Sequence, residues 1–516
     1  MAVKVYSSQV VGLKADIIDV EVDLSQGLHS FSVVGLPDKA VEESKDRISA
    51  AIKNSGFVSP QKKNQRVTIS LAPADLKKEG PVFDLSIALA YLLASKQVIF
   101  DVSGRIFLGE LALDGKLRSI KGALTLVKNA KKTGFKEVFV PKDNAKEAAL
   151  VEGIKIFSCE KLEDITNHFK REGAVKIVEE PPTKINFGKI YGEALYDFSD
   201  IKGQETAKRG LEIAAAGGHN VLMVGPAGTG KTMLAKAFAS VLPPLSFDEI
   251  IEITSIHSVA GVMEGDFVLH RPFRSPHHTS SYVALVGGGV YPKPGEITLS
   301  HRGVLFLDEF PEFERRVIEA LRQPLEDGAI NVSRAKGSLT FPARFIMVCT
   351  MNPCPCGNYG SKTKTCVCSQ SSLMRYKRKI SGPIVDRIDL WLEVPQVEYS
   401  KLSDETGQGE SSAAIQARVI KAREIQKNRF DASVKRSNNK HTNTMTNGEM
   451  GVREIKRLAP LSENVKGILN QAATRLDLSG RAYHKVIKIA RTIADLEGEQ
   501  NIAASHLLEA LQYRPK

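Results

Sequence analysis

Gly225-Pro226-Ala227-Gly228-Thr229-Gly230-Lys231-Thr232 decides how this chain is read. It follows the apolar run Asn220-Val-Leu-Met-Val224 and precedes a helix-like run that begins Met233-Leu-Ala-Lys. A strand, a glycine-rich loop and a helix in that order form a phosphate-binding loop, in which backbone N–H groups cradle phosphates and the lysine reaches the β and γ oxygens. The order implies a nucleoside triphosphate ligand. Downstream, Val304-Leu-Phe-Leu307 runs straight into Asp308-Glu309. A buried parallel strand there delivers two carboxylates to the carboxyl edge of the sheet, where open α/β sheets bind ligands. Asp308 suits Mg²⁺, together with the Thr232 hydroxyl, and Glu309 suits a water poised to attack the γ-phosphate.

Outward from that centre, 516 residues exceed one hydrophobic core and call for several domains. The longest apolar helix-like run, Leu85 to Ala94, falls short of the roughly 20 residues that span a bilayer. The start, Met-Ala-Val-Lys-Val-Tyr, reads as a strand and lacks the layout of a signal peptide, so a cytoplasmic location without membrane contact is expected. Lys and Arg number 71 against 59 Asp and Glu, a formal charge of +12, which is compatible with a polyanion such as DNA without requiring one. Six cysteines, four of them in one short loop, point to a reducing compartment and a metal rather than to a disulfide scaffold.

Residues 1–170 alternate strand-like segments (Gln65 to Leu71, Glu137 to Val140, Ile154 to Phe157) with helix-like ones (Lys39 to Ser55, Phe83 to Ser95, Ala123 to Thr133) and form a mixed α+β unit. Residues 171–192, with Glu179-Glu-Pro-Pro-Thr183, break that periodicity and read as a linker. From 193 to 395, strands and helices alternate around the phosphate loop as a parallel sheet covered on both faces requires. Residues 396–516 are expected to be helical, with a basic helix from Ser411 to Phe430 and a polar, turn-rich stretch from Ser437 to Asn447.

Several further segments stand with the phosphate loop and Asp308-Glu309: Phe273-Arg-Ser-Pro-His-His-Thr279, Gly287-Gly-Gly289, Pro294-Gly-Glu-Ile297 and Asp386-Arg387-Ile-Asp389. Together they resemble the magnesium-chelatase-like AAA+ ATPases of the ComM/YifB family over nearly the whole chain. That resemblance implies an AAA+ parallel-sheet core, an amino-terminal Lon-protease-like domain and a carboxyl-terminal helical lid. It also implies ATP and Mg²⁺ as ligands and a ring, with six copies expected, holding each nucleotide between two subunits. Asn352 then matches the polar sensor that orients the attacking water, although an asparagine forming the turn before Pro353 reads as well. Arg387 matches the arginine that reaches a neighbouring subunit's γ-phosphate, its other reading being an ion pair with Asp386 or Asp389. Arg481 resembles the lid arginine that contacts the same nucleotide in cis, with Arg491 as the rival on one helix. His277, His278 and Thr279 read as structural or pore-loop residues, in a region where this branch carries insert hairpins.

Cys354-Pro-Cys356 and Cys366-Val-Cys368 are two C-x-C pairs separated by nine residues, directly after Asn352. Four thiolates so close match a closed, tetrahedral Zn²⁺ site, with unbound thiols or a regulatory redox pair as alternatives to zinc. The loop lies in 353–369, and Lys362, Lys364, Arg375, Lys377, Arg378 and Lys379 stand around it, either lining a channel for a phosphate backbone or solvated on an outer face. Cys159 and Cys349 read as core. Gly109 to Ile120, Thr133 to Pro141 and Gly80-Pro81 resemble the Lon protease domain, but Val82 stands where its nucleophilic serine falls, and Leu124 and Leu126 stand where its lysine falls. Without a hydroxyl and an amine there is no peptidase chemistry. The family resemblance implies an ATP-driven helicase or branch-migration motor on branched or single-stranded DNA, in recombination or transformation, with recombination proteins as partners. The other expectations are a chelatase-type motor subunit and an ATP-gated chaperone or scaffold.

Overall fold

The computed structural model describes residues 2–170, 175–185, 196–289, 292–334, 337–360, 364–397, 409–437 and 446–515. Residues 186–192 of the linker, Lys362 and most of the polar stretch after Ser437 lie outside them. The chain divides into two units: Met1–Phe187 with Ser246–Leu269, and Gly188–Leu245 with His270–Lys516.

In the first unit, alternation writes the sheet. Ile18, Val20 and Val22 are buried while Asp19 and Glu21 between them are partly exposed and Asp23 is exposed, which gives the strand Lys14–Gln26 one apolar face. That strand pairs antiparallel with Val3–Val11 and with Gln65–Ala72, and Ser30–Val34 adds parallel to the latter. The helices Lys39–Asn54 and Asp84–Ala94 contribute Val41, Ile48, Ile52, Leu85 and Leu89 to the core of that sheet. Asp38 caps the first of these through Val41 N–H at 2.8 Å, and its second carboxylate oxygen accepts from Gly80 N–H at 3.1 Å. A parallel sheet of Arg105–Phe107, Glu137–Pro141 and Lys155–Cys159 forms a second layer. Val82 lies in a short 3₁₀ turn, and Leu124 and Leu126 are core residues of the helix Ala123–Lys132.

The division departs from an unbroken 193–395 core. Phe247–Ala260, reached directly after the phosphate-loop helix, belongs to the first unit, where Ser258 Oγ accepts from Gly122 N–H at 2.9 Å. The segment 175–185, read as linker, is partly held as well: Glu180 N–H donates to Ile156 O at 2.8 Å, and Thr183 Oγ1 to Lys146 O at 2.8 Å.

The second unit is built on a five-stranded parallel sheet in the spatial order Phe273–Arg274, Val304–Leu307, Ile346–Met351, Val221–Val224, Leu390–Glu393. The first strand in sequence is therefore next to last in space, so the carboxyl ends of Val221–Val224 and Ile346–Met351 lie side by side. Val304 to Leu307 are all buried, the continuous apolar run that a strand covered on both faces requires. The helices Glu205–Gly217, Lys231–Ser240, Ser412–Ser437 and Gly480–Glu497 share one apolar core with this sheet, through Leu211, Phe238, Val419 and Ile489. The carboxyl-terminal helices thus close the same hydrophobic body rather than a separate one. Cys349 is buried in Ile346–Met351 and Cys159 in Lys155–Cys159. Among the described residues, no helix is long and apolar enough to cross a membrane.

Candidate nucleotide site and cysteine cage

Gly225 is required by contact. A Cβ there would stand 2.1 Å from Val394 O, because the loop leaves its strand against the backbone of the neighbouring Leu390–Glu393 segment. Gly228 and Gly230 take the left-handed conformation (φ 76° and 84°) and turn the chain into the helix Lys231–Ser240, whose first N–H groups are left for an anion. Lys231 Nζ folds back onto the loop, 2.7 Å from both Gly225 O and Pro226 O and 3.3 Å from Asn352 Oδ1. Burial lowers its pKa, and Asp308 and Glu309 oppose that shift.

Across the loop, Thr232 Oγ1 donates to Asp308 Oδ2 at 3.2 Å. This hydroxyl and carboxylate are oxygen donors of the kind that would hold a Mg²⁺ ion beside a bound nucleotide. Glu309 projects from the strand end at φ 52°, a left-handed residue that is not glycine and the kind of local strain that collects at functional sites. Its N–H donates to Asp308 Oδ1 at 3.1 Å and to Thr350 Oγ1 at 3.2 Å, and Thr350 Oγ1 itself donates to Asp308. Thr350, buried in the adjacent strand, therefore holds the Asp308 carboxylate and the Glu309 backbone. His278 Nδ1 lies 3.5 Å from Glu309 Oε2, with the His277 ring 4.1 Å from its own. Lys231, Thr232, Asp308, Glu309 and Asn352 are thus brought together as the sequence implies.

Arg387 and Arg481 stand apart from this group, and they stand together. Arg387 Nη2 pairs with Glu326, whose other oxygen lies 3.1 Å from Arg481 Nη2, and Arg387 Nη1 donates to Pro383 O at 2.6 Å. Asp389 pairs with Lys485 at 3.3 Å and accepts from Asn220 N–H at 3.0 Å, and although burial pushes its pKa up, Lys485 and His219 hold it well below the usual carboxylate range. Arg491 is a buried core residue that bonds Asp495 and the carbonyls of Glu499 and Gln500. Arg481 thus shares the Glu326 carboxylate with Arg387.

The four thiols Cys354, Cys356, Cys366 and Cys368 lie within 4.8 Å of one another and are unpaired by disulfides. Backbone N–H groups of Asn358 and Val367 donate to the Cys356 sulfur and pull its thiol down to about 6. Beyond the cage, Arg375, Lys377 and Arg378 are exposed and pair with no carboxylate among the described residues, whereas Lys379 meets Glu312 at 2.7 Å. The basic helix Ser412–Ser437 is a different case. Arg418 pairs with Glu212 and Glu410, Arg423 donates to Ala215 O, and Arg429 pairs with Asp495 at 2.6 Å. Most of its arginine charge is consumed inside the protein.

Three family profiles match successive parts of the chain: "Subunit ChlI of Mg-chelatase" matches residues 20–144, "Magnesium chelatase, subunit ChlI" residues 197–402, and "Magnesium chelatase, subunit ChlI C-terminal" residues 409–514. Competence protein ComM of Haemophilus influenzae is 44% identical over 99% of this chain and 97% of its own length. The chain belongs to the ComM/YifB family of magnesium-chelatase-like proteins. YifB of Escherichia coli is 43% identical and YifB of Salmonella typhimurium 42%, each over 99% of this chain and 96% of its own length. Sequence reasoning gave no contact with the candidate nucleotide residues or arginines to Thr350, His278 or Glu326. The His-His-Thr block was a visible signal for His278; Thr350 and Glu326 carry none, because only tertiary placement gives them partners.

Proposed function

We propose that this protein is an ATP-driven, ring-forming DNA motor of the helicase or branch-migration type. The observation that carries the reading is the division of the site. Lys231, Thr232, Asp308, Glu309 and Asn352 converge at one sheet edge, while Arg387 and Arg481 share Glu326 and make no hydrogen bond to these five among the described residues, which supports arginines supplied by a neighbouring copy. Backbone N–H groups of the loop and Lys231 bind the β- and γ-phosphates of ATP, and Thr232 and Asp308 would hold Mg²⁺, which would supply charge neutralisation. Glu309 takes the proton of the attacking water and Asn352 orients that water. Arginines supplied in trans are worth about 10³–10⁵ in rate, which makes hydrolysis a property of the assembled ring.

DNA as the track draws support from the relative named a competence protein and from exposed Arg375, Lys377 and Arg378, beside which Tyr359, Val367 and Met374 are exposed apolar side chains that suit stacking and packing on unpaired bases. The amino-terminal unit, with Val82, Leu124 and Leu126 at the positions of the Lon dyad, acts as a docking or DNA-guiding domain without peptidase chemistry. The matching profiles all carry the name of a magnesium chelatase subunit, which favours a second reading as a chelatase-type motor. One experiment separates the two: phosphate release and strand displacement on a four-way DNA junction, with Lys231→Ala and Arg387→Ala as controls. Junction-stimulated hydrolysis with strand displacement is expected. Hydrolysis indifferent to DNA would refute the motor.

A further inference from the structure

We propose that Cys354, Cys356, Cys366 and Cys368 bind one Zn²⁺, and that the resulting cage is the strut that holds Asn352 beside the phosphate site, so that ATP hydrolysis depends on zinc while nucleotide binding does not. The second half rests on the ATPase reading above; the first does not.

The sulfur geometry is that of a tetrahedral site. A Zn–S bond of about 2.3 Å places the sulfurs of a tetrahedron about 3.8 Å apart. The observed separations are 3.4 Å for Cys354 to Cys356, 3.6 Å for Cys356 to Cys366 and 3.8 Å for Cys354 to Cys366, with Cys368 inside the same 4.8 Å cluster. Four sulfurs packed this closely repel one another as thiolates unless a cation lies among them. The surrounding backbone is arranged for thiolates: Tyr359 N–H donates to Cys354 Sγ at 3.3 Å, and Gly357 N–H closes a tight turn on Cys354 O at 3.0 Å. Such outer hydrogen bonds orient metal ligands and tune them. All four protein ligands are sulfur, so the site is closed and structural rather than catalytic.

The cage is tied to the sensor from both ends. Cys354 is fully buried two residues beyond Asn352, whose Oδ1 lies 3.3 Å from Lys231 Nζ. After Cys368, Ser369 caps the helix Gln370–Lys377 through Ser372 N–H at 3.3 Å, and that helix returns Tyr376, buried, to the Asn352 backbone N–H. Lys379, just past the helix, reaches Glu312 on the turn that follows Glu309 at 2.7 Å. Asn352 is therefore bracketed by Cys354 on one side and Tyr376 on the other, and a metal closing residues 354 to 368 makes the bracket one rigid body. Phosphate binding uses the loop 225–232, which the cage does not touch through any hydrogen bond or ion pair among the described residues.

The test uses the full-length protein, purified under reductant and without chelators. Metal analysis is expected to give about one zinc per chain, in wild type and in Lys231→Ala alike. Zinc is then displaced with an organomercurial, the thiols are regenerated with reductant and chelator, and kcat, KM and affinity for a fluorescent ATP analogue are measured before and after zinc is returned. The stripped protein is expected to lose about tenfold or more in kcat, the scale of a misplaced orienting group, with analogue affinity kept and the rate restored by zinc. Cys368→His, which keeps a zinc ligand, recovers part of what Cys368→Ser loses. Reduced, hydrolysing protein without zinc would overturn the cage. An unchanged kcat after stripping, or a loss of analogue affinity in step with rate, would overturn the strut. Zinc-loaded wild type that never hydrolyses ATP would sink the ATPase reading and the strut and leave the cage standing.

Discussion

Replacing Thr350 with valine removes one hydroxyl and keeps the branched shape, so no cavity opens at this buried position. That hydroxyl donates to Asp308 and accepts from Glu309 N–H at 3.2 Å. A hydrogen bond to a charged group contributes about 1.5–3 kcal/mol. The Glu309 N–H is not orphaned by the change, because Asp308 Oδ1 remains 3.1 Å away, and the added methyl gains some apolar burial. The net loss therefore falls near the lower end, about 1–2 kcal/mol of stability. Its catalytic share is read in the rate: each 1.4 kcal/mol expressed in the transition state is about tenfold, so Thr350→Val is expected to lower kcat about fivefold to thirtyfold. Affinity for ATP should hold, since Lys231 and the glycine loop are untouched. Steady-state phosphate release at saturating ATP gives kcat, a fluorescent analogue gives affinity, and urea unfolding gives stability. Thr350→Ser, which restores the hydroxyl, should recover most of the rate. A valine variant that turns over like wild type, or a serine variant that falls as far, would refute the claim that this hydroxyl positions Asp308 and the Glu309 backbone for catalysis.

Other substitutions probe other parts of the molecule. Gly225→Ala drives a Cβ against Val394 O, and a strain of about 1–3 kcal/mol at this contact should appear as weakened binding in a nucleotide titration. Arg387→Ala is expected to cost about 10³ or more in kcat with ATP affinity retained, and mixing it with Glu309→Gln chains should recover activity at seams that pair an intact arginine with an intact glutamate. Glu147 in the amino-terminal unit is buried and meets only neutral partners, Leu124 N–H at 3.0 Å, Asn144 and Ser258. Burial raises its pKa, so the unfolded chain gives up this proton first and stability falls as pH climbs from the ordinary carboxylate range towards the raised value. Glu147→Gln should flatten that fall, as compared by urea midpoints at about pH 5 and about pH 8.

What could be read in advance was what local pattern encodes. The phosphate loop, the Asp308-Glu309 strand end and the cysteine pairs are short segments whose chemistry depends on neighbours in sequence, and the structure brings each set together. The alternation in Lys14–Gln26 and the apolar run Val304–Leu307 likewise announce how each strand is buried. Partnership at long range left no such trace. Glu326 looks like any acidic residue at a helix end until Arg387 and Arg481 arrive from 61 and 155 residues away. The arginines of Ser412–Ser437 looked free for a polyanion because composition records charge and not the carboxylates of Glu212 and Asp495 that absorb it. Phe247–Ala260 carries a complete capping box, Ser246 with Glu249, so its existence was legible while its allegiance to the other unit was not.

That allegiance dictates how the gene can be cut. The backbone passes between the two units three times, near residues 187, 245 and 269, so the amino-terminal body is discontinuous in sequence. Ending a recombinant fragment at residue 170 or 187 would strip it of Ser258, the acceptor for Gly122 N–H, and of the helix that packs on Ala123–Lys132. Starting one at residue 196 would leave Phe247–Ala260 with its apolar face bare. A single protease nick in the stretch around residue 187 would not release either half. Fragments meant to stand alone need the loop 246–269 excised from one and grafted onto the other.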